Sequence, residues 1–316
     1  NLDRPLYYAN GPEVPAALRA VQGLGASADT LDDELDDQLV GIARLVVAPG
    51  RRAGLAGLPS VAVASDLHNN LLALPALESA ARGGPLLFAG DLTDRGSTLE
   101  NRLARRVVRA GRPFVFVSGN HDSDVLERRL ARDGAIVLTR RGRLRADGST
   151  GRAVARVGGL RIAGYDDPLM RRSAEGFRDR GASPTPEQRQ AFAAWLERLR
   201  GRVDAVMVHS PYLARLALEQ LRADPPRTPL ILVTGHTHVP GLQRSKNLTV
   251  INGGSVGGGG TGKLAEGGSD IGIATLTYRM EPGLLPLAAD LVEIDPGSGS
   301  ATAQRFRLDA PGDGGA

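Results

Sequence analysis

From Ser60 onward, short apolar runs alternate with polar turns and helix-type patterns. Five of the runs are rich in Val, Leu, Ile or Phe and have the length of buried strands. They are SVAVAS (60–65), PLLFAG (85–90), PFVFVS (113–118), VDAVMV (203–208) and PLILVTG (229–235). Amphipathic stretches such as TLENRLARRVVRAG (98–111) and YLARLALEQLRA (212–223) lie between several of them. This alternation predicts an α/β fold whose sheets are covered by helices.

The two ends of the chain and its middle follow other patterns. The segment 139–167 reads as hairpins, and GIATLTYRM (272–280) and the residues after it add further strands. Near the N-terminus, apolar residues recur at three- and four-residue spacing behind a Thr30–Asp33 capping pair, at Leu31, Leu35, Leu39, Ile42 and Val46. We therefore expect an N-terminal helical extension over 1–57 and one main domain over 58–316. The extension would either pack on the main domain or serve as a partner-binding or membrane-proximal stalk.

Polar residues follow each of the five predicted strands, where the chain leaves the sheet. In order they are Asp66 and His68; Asp91, Asp94 and Arg95; Asn120, His121 and Asp122; His209; and His236 and His238. The carboxyl ends of strands in α/β sheets form the crevice in which ligands bind. All five histidines of the chain occupy these positions, which is hard to explain by ordinary hydrogen bonding. Since neutral imidazole is the commonest metal ligand, the pattern predicts a metal site.

The spacing within the motifs fits this interpretation. Asp66 and His68, like His236 and His238, are two residues apart, and extended backbone would point both members of a pair to one side. Gly90, Gly119 and Gly235 each precede a polar residue and would allow tight turns there. Asp91 is the natural candidate for a carboxylate shared between two cations.

Composition narrows the chemistry further. The 316-residue chain has no cysteine, which excludes disulfides and thiolate ligands. Its 39 basic and 35 acidic residues leave a net charge of only +4, so a solvated surface of mixed sign is favoured over a nucleic-acid surface. No apolar run reaches about 18 residues, the length of a membrane span. A start at Asn1 suggests a processed chain and is compatible with the extracytoplasmic part of a membrane-anchored bacterial protein.

The ordered set D-x-H, GD-x-x-D, GNHD, H and GH-x-H, between Val61 and Ser255, resembles the calcineurin-like metallophosphoesterase family. The resemblance implies a four-layer α/β (α+β) fold, in which two layered mixed β-sheets are flanked by helices. It also implies a dinuclear metal centre at the sheet edge. GDLTDRG is similar to the protein-phosphatase branch, but Asn69 and the GNHD motif depart from that branch and favour the bacterial phosphodiesterase-like ones.

Carried onto this chain, the resemblance implies seven ligands. One metal would be held by Asp66, His68, Asp91 and His238, and the other by Asp91, Asn120, His209 and His236. His121 would face the substrate rather than a metal, with Asp94 hydrogen-bonded to it and Arg95 near the phosphate. Asp122 is expected to be a hydrogen-bond acceptor behind the ligands.

The chemistry implied is hydrolysis of phosphoric esters by a metal-bridging hydroxide that attacks phosphorus in line. Two divalent cations would attract a phosphate and lower the pKa of bound water, and a histidine could protonate the departing alkoxide. Nitrogen and oxygen ligands without sulfur suit Mn²⁺, Fe or Zn²⁺. The expected partner is a small or medium phosphodiester or monoester.

Two other functions stay open at this point. A metal-dependent nuclease would act on DNA or RNA, although the chain has few aromatic residues to stack on bases. A metal-bound, non-enzymatic interaction module would use the N-terminal helix to recruit a partner.

Three further features of the sequence are interpreted as structural rather than functional. Gly257, Gly262 and Lys263 imitate a phosphate loop, but Leu264 lacks the hydroxyl that would hold Mg²⁺, so 253–268 is predicted to be a glycine-rich loop near the metals. Asp166 and Asp167 are predicted to form a turn. The arginines of the 140–145 stretch are predicted to be solvated on a hairpin.

Overall fold

The computed structural model describes residues 6–10, 55, 57–172, 183–259, 270–295 and 300–309. The helix predicted between Leu31 and Val46 lies outside these residues. Among the described helices, none combines the length and apolar character needed to cross a bilayer.

Two mixed sheets contain all the described strands. The first has nine strands, in the spatial order β1 (Leu6–Asn10), β15 (Ser300–Arg307), β14 (Leu285–Asp295), β13 (Ile271–Arg279), β2 (Ser60–Ala64), β3 (Leu86–Ala89), β4 (Phe114–Val117), β5 (Ile136–Thr139) and β6 (Gly142–Leu144). The second has six, in the order β11 (Gly241–Ser245), β12 (Leu248–Asn252), β10 (Leu230–Thr234), β9 (Ala205–Val208), β8 (Leu160–Tyr165) and β7 (Ala155–Val157).

The centre of each sheet is parallel and its margins are antiparallel. Strands β2 to β5 are parallel neighbours in the first sheet, as are β8, β9, β10 and β12 in the second. Helices make the crossovers between these parallel neighbours, except that β10 reaches β12 through β11, which pairs antiparallel with β12. The helices are α1 (Leu74–Ala81), α2 (Thr98–Leu103), which continues as a 3-10 helix (Ala104–Ala110), α3 (Asp124–Arg132), α4 (Pro186–Glu197) and α5 (Pro211–Ala223).

Alternation along the strands builds three hydrophobic layers. In β4, Val115 and Val117 face the second sheet, where they join Met207 and Val233 in the core between the sheets. Phe114 and Phe116 point the other way and pack under α1, the 3-10 helix and α3. On the far side, the outer face of the second sheet packs against α4 and α5. The order helix, sheet, sheet, helix confirms the predicted four-layer architecture.

Most strands predicted from apolar runs are confirmed to within one or two residues. The five strands that precede the polar motifs are β2, β3 and β4 in the first sheet and β9 and β10 in the second. The predicted hairpins form β5–β6 and β7–β8. The boundary at residue 57 stays a prediction; within the extension, β1 pairs antiparallel with β15 and forms an edge of the first sheet.

Candidate metal centre

The first cluster of ligand atoms joins the end of β2 to the end of β10. His68 Nε2 lies 3.2 Å from His238 Nε2 and 3.7 Å from Asp66 Oδ1. His238 Nε2 lies 3.3 Å from the same Asp66 oxygen. Because β2 and β10 belong to different sheets, this cluster exists only where the two sheets come together.

A second cluster lies at the ends of β3, β4, β9 and β10. His209 Nε2 is 3.0 Å from Asp91 Oδ2 and 3.2 Å from His236 Nδ1. Asn120 Oδ1 lies 3.1 Å from both of these imidazole nitrogens. All seven residues predicted as metal ligands therefore lie in one of two adjacent groups.

Asp91 connects the two groups. Its Oδ2 atom is 3.0 Å from His209 Nε2 in the second group and 4.0 Å from His68 Nε2 in the first. Within each triad, Asp66–His68–His238 and Asp91–His209–His236, the candidate ligand atoms lie within 4.8 Å of one another. Two cations at these triads could share the Asp91 carboxylate.

The backbone of the ligand loops is left-handed rather than extended, contrary to the expectation for both the Asp66–His68 and the His236–His238 pairs. Five of the seven residues have positive φ angles: Asp66 (56°), His68 (47°), Asp91 (57°), His236 (71°) and His238 (60°). Asp, Asn and His tolerate this region better than most residues, yet it is strained for any side chain with a Cβ. Sharp left-handed turns, not strand pleating, bring each pair of side chains together.

Glycines let the β3 and β4 loops approach each other. Gly90 has a φ of +89°, and a Cβ at Gly119 would collide with the Asp91 carboxylate. Gly90 and Gly119 thus allow both the predicted tight turn and the close approach of the two loops.

The surroundings of the Asp66 carboxylate fit a bound cation. Its Oδ2 accepts a hydrogen bond from His236 N at 2.9 Å, whereas Oδ1 is buried, faces two imidazole nitrogens and has no hydrogen-bond partner. A buried carboxylate oxygen without a donor costs free energy. A divalent metal would satisfy it, and the donors present, imidazole nitrogens with carboxylate and amide oxygens, are those of a Zn²⁺, Mn²⁺ or Fe site.

The electrostatics of the clusters favour cations. Burial alone would raise the pKa values of Asp66 and Asp91, but the charge of His209 and the other imidazoles beside them hold both pKa values below the usual value. Burial would lower the pKa of His68, but Asp66, Asp94 and Asp91 raise it to about 10. The pKa of His209 is likewise raised, chiefly by Asp91, against the effect of burial. A metal that binds here would displace these protons.

Hydrogen bonds behind the ligands orient the imidazoles. His209 Nδ1 donates to the Ala89 carbonyl at 2.7 Å and His68 Nδ1 donates to Asp94 Oδ1 at 2.9 Å, so that each Nε2 faces the cluster. Such partners fix the tautomer and raise the basicity of a metal ligand. Asp94 thus supports a candidate ligand directly.

The predicted hydrogen bond between Asp94 and His121 forms, but through the Asp94 main-chain carbonyl rather than its carboxylate. His121 Nδ1 donates to the main-chain carbonyl of Asp94 at 2.7 Å, while the Asp94 carboxylate contacts His68. His121 N donates to Asp91 Oδ1 at 2.9 Å, and its ring lies edge-on to His68 with centroids 5.1 Å apart. His121 therefore sits beside the first cluster, and Arg95 is exposed at the same margin.

Asp122 is confirmed as a buried hydrogen-bond acceptor. Its carboxylate accepts from Asp91 N at 2.7 Å, Gly119 N at 2.9 Å and both the amide and hydroxyl of Thr93 at 3.1 Å. These bonds fasten the β3 loop to the β4 loop. Burial and the charge of Asp91 raise the pKa of Asp122 to about 7.

The glycine-rich loop, the Asp166–Asp167 turn and the 140–145 arginines were interpreted as structural, and the described parts agree in most respects. Ser255 Oγ and Gly257 N both bond Asp66 O, so the start of the glycine-rich loop supports a ligand; 260–269 lie outside the described residues. Asp166 pairs with Arg140 and Arg172 at 2.9 and 2.8 Å, so Arg140 is half-buried in an ion pair rather than solvated as predicted, whereas Arg141, Arg143 and Arg145 are exposed. Asp167 makes the expected turn through Leu169 N, but its Oδ2 is buried without a partner, and burial raises its pKa to about 6.

An aromatic side chain that the motif analysis missed borders the second cluster. The Tyr212 ring lies edge-on to His236 with centroids 5.5 Å apart, and the residue is 52% exposed. Its position, three residues after His209 in the first turn of α5, was the available signal. Leu99 and Val239 are the other exposed large apolar residues in the described part of the chain, and both also follow strand-end motifs.

The fold resembles several solved structures at low identity. Vps29 from Entamoeba histolytica, complexed with zinc, is 17% identical over 79% of this chain and 99% of that one (TM-score 0.38). A novel archaeal phosphodiesterase is 13% identical over 72% and 99% (TM-score 0.37). The sulfate thiohydrolase SoxB from Thermus thermophilus is 14% identical over 79% of this chain and 56% of that one (TM-score 0.42).

No match was found among curated proteins. The family model described as the calcineurin-like phosphoesterase superfamily domain matches residues 60–268, which include all seven candidate ligands and His121. This match covers more than half of the chain, and the chain therefore belongs to the calcineurin-like phosphoesterase superfamily.

Proposed function

We propose that this protein is a two-metal phosphoric-ester hydrolase. The observation that carries the proposal is the pair of adjacent ligand triads with the Asp91 carboxylate between them. The unpartnered Asp66 oxygen and the family membership support it.

One cation would be held by Asp66, His68, Asp91 and His238, and the other by Asp91, Asn120, His209 and His236. Bound there, two divalent cations would supply charge for the phosphate oxygens and an activated water for attack on phosphorus. The chain contributes two carboxylates that stay ionised and two imidazoles, those of His68 and His209, whose far nitrogens are already hydrogen-bonded. Its role is to hold this arrangement rigid before substrate arrives.

His121 is the proposed proton donor to the leaving alkoxide. Because its Nδ1 donates to the Asp94 carbonyl, Nε2 is the nitrogen that can exchange a proton with substrate. The bond from His121 N to Asp91 ties its position to the metal cluster. Asp94 positions both His68 and His121, and Arg95 is proposed to bind a phosphate oxygen at the exposed margin.

The proposed substrate is a small or medium phosphoester, either a monoester or a diester. Tyr212 offers an apolar face beside the second cluster, which suits an aryl or other apolar ester group. Nuclease action would be recognised by cleavage of DNA or RNA with a steep salt dependence. A non-enzymatic module would bind metal without turnover.

The test is elemental analysis of the purified protein, followed by hydrolysis of p-nitrophenyl phosphate and its bis ester after metal restoration. We expect about two metal equivalents and metal-dependent nitrophenol release, abolished by a chelator. Metal without turnover on any phosphoester would contradict the proposal.

Two variants separate the roles of the residues. Asp91→Ala should lose metal and activity together. His121→Ala should keep its metal while turnover falls by about 100-fold or more, the usual contribution of general acid catalysis. Loss of metal from His121→Ala would contradict its assignment as a proton donor.

A further inference from the structure

A groove lined by arginines lies on the outer face of the first sheet, between α3 and the helix formed by α2 and its 3-10 continuation. One part, with a volume of about 390 Å³, is lined by Arg102, Arg105, Arg106, Val108, Arg109 and Asp133. An adjoining part of about 510 Å³ adds Arg129 and Arg132 from α3. Residues that line the metal clusters do not line either part, so the groove is a separate surface.

The arginines of this groove are largely unneutralised. Arg105 binds the single acid of the groove, Asp133, through two hydrogen bonds of 2.6 and 2.8 Å. Within the described part of the chain, Arg102, Arg106, Arg109, Arg129 and Arg132 have no carboxylate within ion-pairing distance. Arg102, Arg106 and Arg109 are exposed. Five guanidinium groups thus face one concave surface without counter-charges.

The concentration of charge is unusual for this chain. Six arginines and one aspartate give the groove a formal charge of +5, whereas the whole chain carries +4. All other residues together are therefore slightly acidic. A positive groove of this kind focuses the field and raises the local concentration of anions.

Shape and composition indicate what kind of anion fits. The groove is concave and of a size that suits a small molecule. Its lining includes one apolar side chain, Val108, and no aromatic residue on which a base could stack. Guanidinium groups bind phosphate oxygens through paired, charge-assisted hydrogen bonds. Arginines on both walls suit an anion with several closely spaced phosphates.

We propose that this groove binds a linear phosphate chain of the inorganic polyphosphate type. A flat anionic membrane would contact only the rim of a groove, and a nucleic acid would find no stacking partner in it. The site is independent of the proposed hydrolase function, because Arg106 and Arg109 make no contact with the metal clusters.

Calorimetric titration of the metal-loaded protein with tripolyphosphate tests the proposal. We expect saturable binding, with ATP no tighter than tripolyphosphate and orthophosphate much weaker. The variant Arg106→Glu/Arg109→Glu should bind about tenfold more weakly or worse, since two attractive charges become repulsive. Arg106→Lys/Arg109→Lys keeps the charge but not the paired hydrogen bonds and should therefore lose less affinity than the glutamate variant, and Arg106→Gln/Arg109→Gln serves if the glutamate variant fails to fold.

Two controls locate the binding. Arg141→Glu/Arg143→Glu makes the same charge change on the exposed β5–β6 hairpin and should leave affinity within about twofold. Asp91→Ala should also retain binding. An equal loss in both charge-reversal variants, loss only in Asp91→Ala, or binding confined to DNA or to phosphatidylglycerol vesicles would overturn the proposal. Hydrolysis of nitrophenyl esters should be unchanged in Arg106→Glu/Arg109→Glu, so failure here would leave the hydrolase proposal standing.

Discussion

Residues that are not candidate ligands themselves contact the candidate ligands and set their orientation or surroundings. Asp94 orients His68 with its carboxylate and His121 with its carbonyl, so one residue links a candidate ligand to the candidate proton donor. Tyr212 packs on His236, the histidine whose pKa burial and His209 lower to about 4. His236 is therefore neutral at physiological pH and can bind a cation without first losing a proton.

Tyr212 yields a prediction about substrate preference. Tyr212→Ala should raise KM for aryl phosphoesters by about 2- to 12-fold with little change in kcat, the value of one aromatic contact. Steady-state kinetics on p-nitrophenyl phosphate and on a small alkyl ester would measure this. Tyr212→Phe, which keeps the ring, should behave as the parent. An equal KM increase for the alkyl ester would show that the ring does not select the ester group.

At the scale of elements, the loops after β3 and β4 form one unit because Asp122 fastens them together. Asp122→Ala would leave three backbone N–H groups without their acceptor, while the Thr93 hydroxyl could still donate to His121 O at 3.2 Å. Each unsatisfied buried donor costs about 1–3 kcal/mol, so we expect a loss of about 3–5 kcal/mol in the free energy of unfolding and weaker metal binding. Urea unfolding and metal titration would measure both.

The control for this prediction is Asp147→Ala in the exposed turn after β6. Asp147 also accepts a backbone hydrogen bond, from Ser149 N at 2.8 Å, but water can replace it there. Its loss should therefore change stability by less than about 1 kcal/mol. Equal effects in the two variants would show that Asp122 has no special role in the loops.

Glu127 on α3 predicts a pH dependence of stability. It accepts a hydrogen bond from Ser118 at 2.8 Å, and burial, with the charge of Asp166, raises its pKa to about 8. Between the ordinary value of about 4.5 and this value, the folded state holds a proton that the unfolded state releases. Stability from this group is thus full below about pH 4.5 and falls, by a few kcal/mol at most, as pH rises through about 8.

Glu127→Gln should remove this loss because the amide is neutral at every pH. Thermal unfolding of the parent and the variant across this pH range would show two curves that diverge as pH rises, with the variant the more stable at alkaline pH. Parallel curves would contradict the raised pKa.

Elements and ligands were predictable from sequence to different degrees. The strands could be predicted from apolar runs because a strand buried on both faces has apolar residues at every position, as in FVFV of β4. The candidate ligands followed from their position after strands. The left-handed turns at Asp66 and Asp91 could not be predicted, since Asp is common in many loop conformations. The partner of Asp94 and the arginine groove depend on which segments pack side by side, which local pattern does not encode.

For the molecule as a whole, the metal clusters join the two sheets. Four candidate ligands follow strands of the first sheet: Asp66, His68, Asp91 and Asn120. The other three follow strands of the second sheet: His209, His236 and His238. A bound cation would therefore connect the halves of the core, and its binding free energy would add to the stability of the fold.

Metal removal gives the prediction at this scale. Restoring the metal at about 100 times its Kd should stabilise the protein by about 2.7 kcal/mol per site. For a domain of this size the shift in Tm is about 2–4 °C per kcal/mol. Differential scanning calorimetry with and without a chelator would measure it. Asp91→Ala should show no metal-dependent shift, and a shift of parental size in that variant would place the cation elsewhere.

The left-handed turns at five of the candidate ligands have a consequence for how this protein can change. Glycine would adopt each of these φ angles without strain, yet it would remove the donor atom that the cation needs. Thermal stability therefore favours glycine at these five positions, whereas metal-dependent activity would require the present residue. The positions are Asp66, His68, Asp91, His236 and His238. A related chain that did not need the metal could gain stability by replacing these side chains with glycine. A chain that binds the metal must keep the side chains and the backbone strain that they bring.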